Sequence, residues 1–278
     1  MIKRIGCIGL GNMGLAIVKG LLASQQVQPS QVWGVEADTT RAQALAAELG
    51  IQVFTADQPW IYEVGLKSDL ILLAVKPWHV AGVVQSIAKA SQAQGDNPPQ
   101  PALASVAAGV TLAKLAEATG QPTWPLLRLM PNTPCLTGQG IVAVCANNHV
   151  SPELLATTTQ LMGVLGHSFS TTEDYFDVLT ALVGSGPAFV LRLMKGLSDG
   201  AVASGLPRAL ANELIPKLLA GTAIMASQSP YGFAALEEQV TTPAGTTIAG
   251  LEALEQYQGS LACWQAIVAA TQKAATMK

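Results

Sequence analysis

The sequence predicts an α/β fold, a doubly wound and mostly parallel sheet followed by an all-helical second domain, on three observations. Short apolar runs alternate with helix-length segments up to about residue 172, the rhythm of βαβ units. In "IGCIGLGNMG", Gly9, Gly11 and Gly14 fall in G-x-G-x-x-G spacing between the first apolar run and the first helical pattern. After about Tyr175 the strand signals cease and only helical patterns follow. The expected division is a dinucleotide-binding Rossmann domain over 1–172 and a helical domain over 173–278.

Taken in order, strands are expected at 5–8, 32–35, 70–75, 103–106, 126–130 and 141–144. Their continuous apolar character suits a parallel sheet covered on both faces. "SQAQGDNPPQP", 91–101, reads as a turn-rich surface loop. Helices are expected at 187–203, 207–226, 233–240, 248–257 and 261–274, with Pro187 and Pro207 in first turns, Gly205 at a helix end, and Pro216 kinking the helix that contains it.

Composition narrows the function classes. The chain has 278 residues, 50% of them hydrophobic, enough to fill a sizeable core, but only 12% charged. Average soluble proteins carry roughly 25% charged residues, so much of this surface is expected to lie against another chain. A net charge of −3 without a Lys/Arg-rich run leaves neither nucleic acid nor an anionic membrane as an expected partner. No uninterrupted apolar run approaches the ~20 residues of a spanning helix, and glycines break the apolar start "MIKRIGCIGLGNMG", so no export signal is expected. Cys7, Cys135, Cys145 and Cys263 lack metal-ligand or redox spacing. They read as small buried hydrophobes in a reducing cytoplasm, and no metal is expected.

The glycine motif carries a mechanism. Gly9 permits the tight turn, Gly11 lets a pyrophosphate approach the backbone, Gly14 lets helix and strand pack closely, and the helix N-terminus favours the anion. The competing reading is a glycine-rich turn without a ligand. Glu36, about twenty residues further on, would bind both ribose hydroxyls and repel a 2′-phosphate, which favours NADH. Arg41 argues the other way, because a guanidinium there accepts that phosphate. Both residues would otherwise be solvated loop charges. "AVKPWHV", 74–80, closes a strand at the sheet's carboxyl edge, placing Lys76 and Pro77 where ligands meet such sheets; His79 beside Trp78 reads as packing or capping.

"VTTPAGTTIAGLEALE", 240–255, crowds four threonines, a proline and a glycine against a helix mouth. One reading is capping by Thr242 or Thr246. The other is an anion site formed by exposed N–H groups, with Gly245 letting a ligand come close.

Together these segments resemble one family across essentially the whole chain, the pyrroline-5-carboxylate reductases of the 6-phosphogluconate-dehydrogenase-like superfamily. "IGCIGLGNMG" is similar to the family's dinucleotide loop, "DLILLAVKP" (69–77) to its fourth strand, and "RLMPNTP" (128–134) to its sixth-strand loop. "ALVGSGPAF" (181–189) resembles its interdomain helix start, and "GLPRALA" (205–211) and "TTPAGTTIAGLEALE" (241–255) its helical domain and signature segment.

The resemblance implies a Rossmann domain joined to a helical dimerisation and substrate-binding domain over 173–278, assembled as a homodimer or a higher oligomer built on dimers. It implies reduction of the cyclic imine 1-pyrroline-5-carboxylate to L-proline with NADPH or NADH. Cofactor contacts are implied for Gly9, Leu10, Gly11, Asn12, Met13, Gly14, Glu36, Gln58, Ala74, Val75, Lys76, Pro77 and Asn132. Substrate contacts are implied for Thr242, Ala244, Gly245, Thr246 and Thr247: backbone N–H groups would receive the carboxylate, and the Thr247 hydroxyl would hydrogen-bond the ring nitrogen. Holding two reactants in line would supply most of the acceleration.

The sequence also departs from the family. Ala244 and Thr242 stand where "SPGGTT" has glycine and serine, and Val183 replaces a serine. Gln58 stands where asparagine is common, and Ser260 near where an arginine often follows. These leave a six-membered cyclic imino acid open as substrate. A β-hydroxyacid dehydrogenase would use a helix lysine with an amide four residues on, but Lys195 lies too far beyond Gly186 for that family's motif, and residue 199 is Asp. A non-catalytic dinucleotide sensor is the rival of another class. The Thr246–Thr247 pair counts against it.

Overall fold

The computed structural model describes residues 2–95 and 98–277. Eight strands form one sheet: β1 (Ile5–Ile8), β2 (Val32–Val35), β3 (Gln52–Phe54), β4 (Leu70–Leu73), β5 (Ala102–Ser105), β6 (Leu126–Met130), β7 (Gly140–Ala146) and β8 (Gly166–Ser170). Their spatial order is β3-β2-β1-β4-β5-β6-β7-β8, and only β6 with β7 pairs antiparallel. Chain direction of travel across the sheet reverses between β1 and β4, which makes that crevice the switch point where doubly wound sheets bind ligands. The helices are α1 (Asn12–Ala23), α2 (Thr39–Leu49), α3 (Pro77–Gln92), α4 (Leu112–Thr119), α5 (Pro152–Met162), α6 (Phe176–Leu179), α7 (Gly186–Ala203), α8 (Arg208–Gln228), α9 (Phe233–Gln239), α10 (Thr246–Gln256) and α11 (Gly259–Ala275).

The apolar strands are apolar throughout because both sheet faces are covered. Alternate side chains sort onto opposite faces: Ile5, Cys7, Leu70, Leu72, Leu127 and Leu129 pack with Ile17, Val18 and Leu21 of α1. Ile8, Ile71, Leu73, Leu103 and Leu126 pack with Val84 and Ile87 of α3 and Leu115 of α4. Each fully buried aliphatic chain contributes roughly 1.5–3 kcal/mol, so this sandwich holds the carboxyl edge of the sheet rigid.

Two strands lie outside the expected set. β3 has three residues and β8 reads "GHSFS"; both sit at the sheet's edges and are partly exposed, so neither shows a buried apolar run. The strand expected at 70–75 ends at Leu73, and the expected surface loop begins later than position 91, because Ser91 and Gln92 still belong to α3. Ser91 is buried and its hydroxyl donates to the Pro99 carbonyl at 2.6 Å. Asp96 and Asn97 of that loop lie outside the described residues. Pro207 caps α8 from outside its first turn, and Pro216 sits within it. Of the cysteines, Cys7, Cys135 and Cys145 are buried, whereas Cys263 is exposed, contrary to expectation. Burial pushes the Cys7 and Cys145 thiols up to about 12, so both stay protonated and inert.

Contacts divide the chain into one unit reaching to Ser185, joined by the residues from Ala270 on, and a second unit, Gly186–Ala269. The division falls later than the expected boundary at 172 because the intervening segment is anchored to the sheet. Glu173 Oε1 accepts from Leu112 N at 2.9 Å and from the buried Arg128 guanidinium at 2.9 Å. Phe176 is fully buried with Met130, Ala143 and Cys145. The second unit is built differently: α7 and α8 pair, yet Leu191, Leu193, Leu197, Leu214, Leu218 and Trp264 are exposed. Its apolar side chains outnumber what its own helices cover.

Candidate active site

At the carboxyl edge of β1 the three motif glycines meet three different surroundings. Gly9 has φ +95, its N–H donates to Val35 O at 2.9 Å, and a Cβ there would stand 2.8 Å from the Ala74 carbonyl carbon and oxygen. A Cβ on Gly14 would overlap the Gly9 carbonyl oxygen, so α1 presses directly onto the loop. A Cβ on Gly11 would meet nothing within 4 Å. Two glycines thus let β1, α1 and the chain leaving β4 close on each other. The third leaves open space where α1 begins, and Gly11 caps α1 without a side-chain hydrogen bond. Uncapped N–H groups beside open space fit a pyrophosphate.

The neighbouring residues lie along the same edge. Leu10 is buried, Met13 is half-buried against the core, and Asn12 is exposed, lining a cavity of about 630 Å³ with Cys135 and Gly138. Ala74 and Val75 are half-buried beside Gly9; Lys76 caps α3 without a side-chain bond, and Pro77 occupies its first turn. Asn132 follows β6 and is buried, with Oδ1 accepting from Ile141 N at 2.9 Å. Gln58 is exposed, and its Oε1 accepts from Thr55 N at 2.9 Å.

Glu36 leaves the end of β2. Its Oε1 accepts from Ala37 N at 2.9 Å, and its Oε2 lies 3.6 Å from Arg41 Nε. Arg41 also donates from Nη2 to the Leu10 carbonyl at 2.6 Å, tying α2 to the glycine loop. The carboxylate and the guanidinium that argue for opposite cofactors are therefore one ion pair at one edge. Sequence reasoning missed Asp57, which bonds the Thr55 hydroxyl; that bond holds its carboxyl below the usual range and keeps a further negative charge on the loop carrying Gln58. An acidic residue three positions past a three-residue edge strand offers no periodicity signal.

In the second unit, the stretch 240–255 forms a tight turn and then α10. Gly245 N donates to Thr242 O at 3.0 Å, closing a four-residue turn with Pro243 and Ala244 at its centre. Ala244 has φ +56. A Cβ on Gly245 would overlap the Thr242 hydroxyl, so a larger residue there would have to turn that side chain aside.

The capping reading of this stretch is overturned. Gly245 itself is the N-cap of α10, and no side chain caps the helix. Elsewhere Asp38 caps α2, Thr111 caps α4 and Ser151 caps α5, each accepting a first-turn N–H. At α10 the N–H groups of Thr246, Thr247 and Ile248 carry no hydrogen bond among the described residues, nor does the half-buried Thr247 hydroxyl. Free donors at a helix N-terminus favour an anion electrostatically as well as by hydrogen bonding.

The other tempting side chains are committed elsewhere. Lys195 Nζ pairs with Asp199 at 2.5 Å on the surface of α7, and Arg208 Nη1 reaches the same carboxylate at 2.8 Å. These cations hold the Asp199 carboxyl below its usual range, which marks a structural ion cluster. His79 is exposed and accepts the Trp78 indole N–H at 3.1 Å. Among the described residues, no three His, Cys, Asp or Glu side chains gather as a metal site.

Residues 173–277 match a family model for pyrroline-5-carboxylate reductase dimerisation, and residues 4–96 match one for coenzyme F420-dependent NADP oxidoreductases. The chain is 36% identical over 256 residues to the pyrroline-5-carboxylate reductase of Escherichia coli, covering 92% of this chain and 91% of that protein. It is 33% identical over 267 residues to that of Synechocystis, covering 96% and 95%. Among solved structures, the pyrroline carboxylate reductase of Plasmodium falciparum with NADP bound has a TM-score of 0.84 at 25% identity, covering 99% of this chain and 97% of that one.

Proposed function

The chain belongs to the pyrroline-5-carboxylate reductase family, and from that premise we propose how its residues carry the reaction. It is an oxidoreductase of proline biosynthesis that reduces 1-pyrroline-5-carboxylate to L-proline with a nicotinamide dinucleotide.

The observation that carries the substrate reading is the uncapped start of α10 with its unpartnered Thr247 hydroxyl. The N–H groups of Thr246 and Thr247 receive the substrate carboxylate, and the tight turn at Thr242, Ala244 and Gly245 holds them open to it. The protonated imine is the better electrophile, and Thr247 Oγ1 accepts a hydrogen bond from its N–H, fixing the ring in the charged form. Each such bond to a charged group is worth about 1.5–3 kcal/mol. Hydride addition to the protonated imine gives the neutral secondary amine directly, and its further proton comes from water.

The dinucleotide, when bound, supplies the hydride that adds to the C=N carbon. The glycine loop fits it: Gly11 and the first N–H groups of α1 take the pyrophosphate, with Leu10, Asn12, Met13 and Gly14 behind them. Ala74, Val75, Lys76, Pro77, Gln58 and Asn132 line the same sheet edge. Glu36 favours NADH by facing the ribose, and its pairing with Arg41 draws that guanidinium away from a 2′-phosphate.

The protein is a homo-oligomer, and the exposed leucines of α7 and α8 support a homodimer as its building block. The helical stretch Glu173–Ala203 is long and apolar enough to cross a bilayer by length and composition. It carries Arg192, Lys195 and Asp199 and lies in the segment matched to dimerisation, which supports a subunit contact. Unpaired, buried Cys7, Cys135 and Cys145 suit a reducing cytoplasm.

The carboxylate reading is tested by comparing 1-pyrroline-5-carboxylate with 1-pyrroline, which keeps the imine and lacks the carboxylate. The expected result is a fall in kcat/KM of at least about tenfold for 1-pyrroline, from loss of one charged hydrogen bond or more. Equal efficiency would remove α10 as the carboxylate site.

A further inference from the structure

The turn that leads into α10 is held in a backbone geometry its own residue disfavours. Gly245 N bonds Thr242 O at 3.0 Å, so Pro243 and Ala244 are the central pair of a β-turn. Proline cannot take a positive φ, whereas Ala244 has φ +56. A hydrogen-bonded turn with negative φ at its second residue and positive φ at its third is type II, which calls for glycine or asparagine at the third. An L-residue there is crowded by the neighbouring carbonyl oxygen. Rotating the single peptide plane between Pro243 and Ala244 converts type II to type I, where proline and alanine are both comfortable. Ala244 is exposed, so no packed neighbours stand in the way of that rotation.

We propose that the Pro243–Ala244 peptide is a two-state element, and that Ala244 is a positioning residue that keeps the substrate loop out of its binding-competent turn for part of the time. This rests on the reading of α10 as the carboxylate site. In the type II state the turn delivers Gly245 and the free N–H groups of Thr246 and Thr247 as one donor cluster; in the type I state the Ala244 N–H and the Pro243 carbonyl exchange sides. Substrate carboxylate selects the first state. An affinity measured on such a protein is weakened by the fraction of molecules already competent. Relieving the left-handed strain at position 244 raises that fraction without touching any group that contacts the ring nitrogen. Substrate KM then falls while kcat and cofactor affinity stay put.

Three substitutions test this, Ala244→Gly, Ala244→Asn and Ala244→Val, with 1-pyrroline, which lacks the carboxylate, as the control substrate for the underlying reading. Glycine and asparagine tolerate positive φ, and asparagine is larger than alanine; valine is β-branched and tolerates it worst. The expected order of KM is Gly, then Asn, then wild type, then Val, with Gly about fivefold below wild type, equivalent to ~1 kcal/mol at ~1.4 kcal/mol per tenfold. kcat and the cofactor Kd should hold across the three position-244 variants. A KM that instead rises with side-chain size, asparagine being worse than alanine, would mean that the methyl merely narrows the site, and the two-state turn is overturned. A melting temperature that moves while KM does not would overturn it too, because the strain would then be present equally in free and bound protein. Either failure leaves the carboxylate reading standing if 1-pyrroline is still the poorer substrate; if it is turned over as efficiently as 1-pyrroline-5-carboxylate, that reading falls as well.

Discussion

Thr247→Val separates catalysis from stability, and the structure sets both magnitudes. The substitution keeps the β-branched shape and deletes one hydroxyl. That hydroxyl makes no hydrogen bond among the described residues, and the N-cap of α10 is Gly245. The folded state therefore loses no cap, and the change in stability should stay within about 0.5 kcal/mol, as for ordinary partly exposed positions. A capping threonine would have cost up to ~2 kcal/mol. In the proposed reaction the hydroxyl meets a charged N–H, a bond worth about 1.5–3 kcal/mol. At ~1.4 kcal/mol per tenfold, kcat/KM should fall roughly ten- to hundredfold. Melting temperature, cofactor Kd and reduced-nicotinamide oxidation are measured on one preparation. Near-normal kcat/KM in a protein with a lowered melting temperature would refute the assignment and return Thr247 to a structural role.

Three further outcomes are expected. Glu36→Ser removes repulsion of a 2′-phosphate and frees Arg41 to accept it, so the ratio of NADPH to NADH efficiency should rise; an unchanged ratio puts Glu36 outside the ribose pocket. Gly11→Ala meets open space and should fold normally while binding cofactor more weakly, whereas Gly14→Ala overlaps the Gly9 carbonyl and should lose ~1–3 kcal/mol of stability; equal melting temperatures would contradict the different surroundings of the two glycines. Sedimentation at micromolar concentration should give at least a dimer, because the exposed leucines of α7 and α8 need cover, and a monomeric mass with full activity would contradict that.

Much of this was legible in sequence because burial leaves a mark. β1, β4, β5 and β6 are covered on both faces and are apolar at nearly every position, Ser105 and Arg128 being the polar exceptions, so their places are readable to within a few residues. β3 and β8 border the sheet, and their polar residues carry no such mark. The boundary near 172 followed the end of the strand signals, but Glu173 and Phe176 reach back to Arg128 and Met130 through long-range contacts that periodicity does not report. The glycine loop was readable because its spacing answers local demands, Gly9 and Gly14 for close packing and Gly11 for open space beside the start of α1. At the turn before α10, the threonines by themselves pointed first to a cap and only second to an anion site, and the choice needed the backbone: an N-cap at Gly245 and free N–H groups behind it. Ala244 was visible as a departure from the family's glycine, but its positive φ was not.

The central claim is that this chain reduces a cyclic imino acid. It is tested most directly by following reduced-nicotinamide absorbance with 1-pyrroline-5-carboxylate while L-proline is quantified in the same reaction. One reduced cofactor should be consumed for each L-proline formed; cofactor binding without imine-dependent oxidation would contradict that claim.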